Sequence, residues 1–214
     1  MSVARACDEM SPRNEDTSTM SKVLHYKSVG VLAIIGLLAA SPALAHTGHN
    51  SAFAMQDGLL HPLGGADHLL AMVAVGIWAA QLGGRALLAL PATFVLAMIA
   101  GAGGAQFGFV TGGIELAIVA SVIAFGAAVA LRLSVPLAVS VLPVAVFAAA
   151  HGQAHGLEVP DGASILAYVA GFSIATALLH AAGVAGALLL AKVPLLVRGI
   201  GAAISAAGIA LAVS

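Results

Sequence analysis

The chain has 214 residues and a formal net charge of -1; 61% of its residues are hydrophobic and only 8% are charged, and its mean hydropathy is +1.07. An ordinary soluble domain is about half apolar and a quarter charged, so this composition excludes one and indicates an integral membrane protein. With no basic stripe to displace counterions from phosphate, nucleic acid is set aside as a partner.

The amino-terminal part reads as processing rather than fold. Residues 1–19 are polar and aperiodic, a disordered or mis-started extension ahead of Met20. Lys22 and Lys27 then form a positive region, residues 29–40 an apolar one, and Ala43-Leu44-Ala45 a small-residue cleavage site, so residues 20–45 are expected to be a signal peptide. The alternative, an uncleaved first span, suffers from an apolar core shorter than the ~20 residues a span requires. Cleavage removes Cys7, the only cysteine, and with it any thiol ligand. It also leaves residues 46–65 as a periplasmic segment beginning His46-Thr47-Gly48-His49. A free amine beside the His46 imidazole, with His49 close by, forms a candidate metal chelate; a solvated tail is the plain alternative.

Beyond that point, apolar runs over 66–82, 86–109, 113–131, 135–155, 163–190 and 195–213 are separated by Gly, Pro or charged punctuation. Each is about 17 to 28 residues long, enough to cross ~30 Å of hydrocarbon, and none alternates in polarity as a barrel strand does. The expected fold is therefore an all-α bundle of about six transmembrane helices over 66–214. Arg85, Arg132, Lys192 and Arg198 lie in or beside alternate connections. The positive-inside rule makes those connections cytoplasmic, in a bacterial cytoplasmic (inner) membrane, and places the mature amino terminus in the periplasm.

Two clusters of ionisable residues interrupt the apolar runs, and such groups in a membrane are costly enough to mark function. The first is His61-Pro62-Leu63-Gly64-Gly65-Ala66-Asp67-His68. If the segment is helical, His61 and His68 are two turns apart on one face, about 10 Å different in depth. Pro62 and the Gly64-Gly65 pair allow an irregular entrance instead. Asp67 is placed either to share a ligand or to accept a histidine N–H. The second cluster is His151-Gly152-Gln153-Ala154-His155-Gly156-Leu157-Glu158, whose i, i+4 and i+7 members share a helical face. Opposite span directions match the clusters in depth, with His68 and His151 deep and His61, Asp67, His155 and Glu158 above them. Gly152 and Gly156 also suit a small-residue packing seam, in which the histidines merely bond between helices.

His61, Asp67 and His68, continuing as LLAMVAVGIWAAQLGGRALLALPATF, and the second motif His151-Gly152-x-Ala154-His155-Gly156-x-Glu158, resemble the two signatures of the HupE/UreJ family. These are membrane proteins associated with nickel supply to hydrogenases and ureases. The resemblance covers essentially the whole mature chain, with Ala150 departing from the phenylalanine that commonly precedes the first histidine of the second motif. It implies a secondary nickel permease, with cobalt handled by some relatives, and ligand roles for His61, Asp67, His68, His151, His155 and Glu158. It also implies a functional link to hydrogenase or urease maturation.

The donor set agrees with that implication. Imidazole nitrogen with a few carboxylate oxygens suits Ni(II), Co(II), Zn(II) or Cu(II), and the lack of thiolate disfavours Cu(I). Histidine ligands compete with protons, so a proton gradient is a candidate driving force. No phosphate-binding GxxxxGK[ST] motif is present. The expected cargo is thus an ion, with no prosthetic group and no enzymatic activity. A membrane metal-binding accessory or sensor protein and, less favoured, a membrane metalloenzyme are the other classes. His180, in the cytoplasmic half of the fifth run, is either an inner ligand or an interhelical hydrogen bonder. Gly104 and Gly108 are expected to pack helices closely, Trp78 to anchor at the inner interface, and Glu115 to sit near a helix amino terminus.

Overall fold

The computed structural model describes residues 53–214, all within the compact unit Ser41–Ser214. The extension, the proposed signal peptide, His46 and His49 lie outside the described residues. Seven helices follow in order: α1 (Ala54–Gly64), α2 (Ala66–Leu82), α3 (Ala86–Gln106), α4 (Ile114–Ala130), α5 (Leu137–Leu157), α6 (Ile165–Leu189) and α7 (Pro194–Ala212). No strand occurs among the described residues.

The expected runs end close to where the helices do, because glycine and proline punctuate both. At the end of α3, Gly108 takes a left-handed φ of 82°. Its N–H reaches the Ala105 carbonyl while that of Phe109 reaches Gly104, the paired closure of a Schellman motif. Arg132 closes α4 by the same pattern at φ 50°. An arginine there accepts a strained backbone and sets its charge at the negative end of the helix dipole.

Four helices, α3, α5, α6 and α7, are long and apolar enough to cross a membrane. The α1–α2 pair passes the same test as one broken span, and α4 is a shorter apolar helix of 17 residues. Their outer faces carry Leu88, Leu96, Leu116, Leu142, Leu166 and Leu189, all exposed. Such a surface matches hydrocarbon and would be a liability in water.

α2 is the central helix. It packs against α3, α4 and α6, and Leu69, Ala71, Met72, Val75 and Trp78 are all buried along it. Around it, α3 pairs with α5, α4 with α7, and α1 with α6. Glycines set these distances: a Cβ on Gly152 would strike the Met98 carbonyl, one on Gly101 the Ala149 carbonyl, and one on Gly156 would meet Ala102. The packing seam expected of Gly152 and Gly156 is thus present, against α3. Gly104 and Gly108 do not serve this purpose, for Gly104 only nears Phe109 at 3.8 Å and Gly108 makes a turn; Gly101, one turn earlier, takes that role. Trp78 is buried within the bundle and does not face lipid, its indole N–H donating to the Leu133 carbonyl at 2.9 Å. Glu115 does sit in the first turn of α4.

At the first cluster the chain follows the irregular alternative rather than one continuous helix: α1 meets α2 at a bend of 81°. Pro62 cannot donate to the preceding turn, and Gly65 then takes an extended conformation (φ -101°, ψ 118°) from which α2 restarts. His61 and His68 therefore do not share a face of one helix.

Candidate metal pathway

The bend at Gly65 does what a straight helix would not. Instead of a separation of about 10 Å along one axis, the His61 and His68 rings come edge to face with centroids 6.2 Å apart. α5 closes the group from the other side. His155 lies 4.8 Å from His61 and 4.8 Å from His68, and His151, one turn deeper, lies 4.7 Å from His68. Below His151 comes the ring of Phe94 from α3 at 5.4 Å, and beyond it His180 of α6 at 5.0 Å. Five histidines from four helices thus form one descending file, with an aromatic ring between the fourth and the fifth.

Burial gives this file a direction. The His61 side chain is 31% exposed and that of Glu158 50%, whereas His151 and His155 are fully buried and His180 nearly so. At the open end His61 Nε2 lies 2.8 Å from Glu158 Oε2. One ligand atom each from His61, His155 and Glu158 falls within 4.8 Å of the others, the spacing of a three-ligand metal site. Glu158 is the C-cap of α5. The hydrogen bond from His61, reinforced by that ring's charge when protonated, holds the Glu158 carboxyl below its ordinary 4.5, against the opposing effect of partial burial.

Asp67 has a different part. Its Oδ1 lies 2.8 Å from His68 Nδ1 and accepts the His68 backbone N–H at 2.7 Å. A carboxylate only accepts, so Nδ1 carries the proton and Nε2 keeps its lone pair. That Nε2 is buried without a partner among the described residues, the arrangement in which a carboxylate orients a metal-binding imidazole from behind. Gly65 is needed here for space: a Cβ would stand 2.8 Å from Asp67 Oδ1 and 3.1 Å from His68 Nδ1.

The other buried rings also have free nitrogens. Nδ1 of His151 and both nitrogens of His155 and His180 lack partners among the described residues. Such groups are rare in folded interiors and each costs roughly 1–3 kcal/mol if left unmade. Their nitrogens, with one terminal carboxylate, match borderline divalent transition metals.

Several residues outside the two motifs also line the file. Tyr168, Phe172, Thr176 and His180 recur every four residues on α6 and are all buried. Phe172 stacks on His155 at 4.8 Å and Tyr168 meets His61 at 5.9 Å. The Thr176 hydroxyl donates to the thioether of Met72 at 3.3 Å. The i+4 repeat was visible in the sequence, although an aromatic stripe on an apolar helix ordinarily means core. Ser121 of α4, 3.0 Å from His151 Nε2, and Phe94 had no such signal.

The family model described as HupE / UreJ protein matches residues 32–211. The chain belongs to the HupE/UreJ family. The match takes in both histidine clusters and all seven helices except the last residue of α7, and with the apolar helices it makes this HupE/UreJ member a multi-pass membrane protein. A curated relative, Protein HupE of Rhizobium leguminosarum bv. viciae, is 39% identical over 151 residues, covering 71% of this chain and 78% of that protein. No solved structure shows a comparable match.

Proposed function

We propose that this HupE/UreJ protein is a secondary permease carrying a divalent transition-metal ion, foremost Ni(II), inward across the bacterial cytoplasmic membrane to supply hydrogenase or urease. The observation that supports it most is the file of imidazoles that leads from the partly exposed His61, paired with Glu158, to the buried His180, in which His68, His155, His151 and His180 keep buried ring nitrogens with no partner among the described residues. An occupant that supplies bonds to these nitrogens offsets their desolvation, and a metal ion is such an occupant.

The residues divide the task. The carboxylate of Glu158 attracts the cation and gives an oxygen, while His61 and His155 give nitrogens. His155 also touches His68, so it can hold the ion while His61 and Glu158 release it and His68 and His151 take over. A ligand shared by two groups avoids a fully dehydrated ion with nothing bound. Phe94 stands between His151 and His180, and its displacement opens the inner step toward the cytoplasm. Protons competing for the same nitrogens provide the coupling to a gradient, since the chain has no nucleotide-binding motif of its own.

The test is uptake of radiolabelled nickel into proteoliposomes by wild type, His68→Ala and His151→Ala, with cobalt as competitor. Uptake by wild type and its loss in both variants is expected; unchanged uptake in both would sink the pathway. The closed Phe94 ring favours one second reading, a membrane metal-binding accessory or sensor. Nickel binding by wild type without flux would support that reading instead.

A further inference from the structure

Ser121 is fully buried on α4, a helix that carries none of the histidines. Its hydroxyl oxygen lies 2.6 Å from the Ile118 carbonyl oxygen and 3.0 Å from Nε2 of His151. Two oxygens at 2.6 Å need a proton between them, and a carbonyl has none to give. The single hydroxyl proton is therefore committed to Ile118, three residues back on the same helix. Toward His151 the hydroxyl has only a lone pair, so Nε2 must be the donor.

We propose that Ser121 is a positioning residue that holds His151 as the Nε2–H tautomer and thereby makes Nδ1 the nitrogen presented to the ion. The proposal rests on the metal-transport reading for its purpose and on hydrogen-bond chemistry for its substance. Nδ1 of His151 is buried and has no partner among the described residues. His68 is set in the opposite sense, protonated on Nδ1 by its bond to Asp67 and free at Nε2. The two rings stand 4.7 Å apart and nearly perpendicular. α2 and α5 thus each offer one lone pair while both ring protons are turned outward, one to a carboxylate and one to a hydroxyl. The acceptors differ in strength: a carboxylate raises the basicity of its imidazole more than a hydroxyl does. His68 is accordingly the stronger ligand and His151 the weaker, an order that favours passing the ion on over trapping it. Without Ser121 the Nε2–H would be a buried donor with no acceptor, and the tautomer that points a proton at the ion would gain population.

The test uses the full chain in lipid nanodiscs with histidine labelled by nitrogen-15 in the ring and metal removed by a chelator. The His151 signal is assigned by its loss in His151→Gln. A protonated Nε2 and an unprotonated Nδ1 are expected in wild type, and the reverse pattern overturns the proposal whatever the variants do. Ser121→Ala removes the acceptor, and Ser121→Cys keeps nearly the same volume with a sulfur that accepts poorly. Both are expected to shift the tautomer and to weaken Ni(II) binding, measured by calorimetry, by about tenfold. Wild-type behaviour of Ser121→Cys beside a defective Ser121→Ala would show a packing role and overturn the proposal. The tautomer is read without metal, so a protonated Nε2 in a chain that transports no nickel supports the Ser121 assignment while sinking the transport reading.

Discussion

Replacing His155 by leucine should stabilise the metal-free protein while destroying its metal site. His155 is fully buried, and neither ring nitrogen has a partner among the described residues. Each such group costs roughly 1–3 kcal/mol, so removing both returns about 2–6 kcal/mol. Against this stand the lost stacking on Phe172, 4.8 Å away at an interplanar angle of 18°, worth about 0.5–1.5 kcal/mol, and a shape misfit of about 1 kcal/mol. A net gain of about 2 kcal/mol is expected. Trp78, the single tryptophan and buried beside Phe125, reports the unfolding by fluorescence in a thermal or denaturant titration. Nickel should then narrow or reverse the difference, because a ligand at a hundred times its Kd stabilises wild type by ~2.7 kcal/mol and leaves the variant unmoved. A His155→Leu protein less stable than wild type in chelator would refute the reasoning, since it would mean that the ring nitrogens are satisfied in the folded chain.

Gly65→Ala tests the junction of α1 and α2. The backbone there, at φ -101°, accepts alanine, so stability should change by no more than about 1 kcal/mol. The new methyl would nevertheless press on Asp67 and His68, and nickel affinity measured by calorimetry should fall by about tenfold, in the range for disturbed outer-shell contacts. Gly152→Ala tests the α3–α5 seam: its Cβ meets the Met98 carbonyl, backbone that cannot swing aside, and a loss of about 1–3 kcal/mol is expected in the same unfolding assay. Glu158 gives the pH dependence. Its carboxyl titrates below the ordinary 4.5 in the folded chain, so the unfolded chain binds more protons in that window. The stabilisation is complete above about pH 4.5 and is lost as pH falls through the folded value. It should be small, less than about 1 kcal/mol, for a half-exposed pair. Glu158→Gln, melted in chelator across that range, should lack this part of the acid sensitivity.

The span limits were legible because the features that end a helix in lipid are local. Gly83-Gly84, Gly108 and Gly113 take left-handed φ at or beside helix ends, and each stands at the edge of an apolar run in the sequence. The pairing of the two histidine clusters was also legible, since depth follows from span direction and helical rise. The route by which His61 meets His68 was not. Periodicity assumes one axis, and whether Pro62 and Gly64-Gly65 bend a helix or only loosen it depends on what α1 packs against. Here a Cβ on Gly58 would strike the Tyr168 carbonyl of α6, and one on Gly171 the Met55 carbonyl of α1, so α1 is held flush along α6 while α2 turns inward.

On α6 the sequence shows His180 as one polar residue in an apolar helix, whereas in the fold it is the last member of a buried stripe through Tyr168, Phe172 and Thr176. An i+4 stripe of two aromatics, a threonine and a histidine is compatible with an ordinary core until something polar is seen opposite it. The polar partners come from α1 and α5, His61 lying 107 residues before Tyr168 and His155 17 before Phe172, and neither separation leaves a mark in local periodicity. α4 is harder still: Ser121 differs from any membrane serine bonded to its own helix only by the ring nitrogen 3.0 Å away. The ligands of such a file announce themselves because ionisable groups in lipid are rare. The residues that fix ligand tautomers and rotamers need only be small, neutral and correctly placed, so they enter the argument only when distances do.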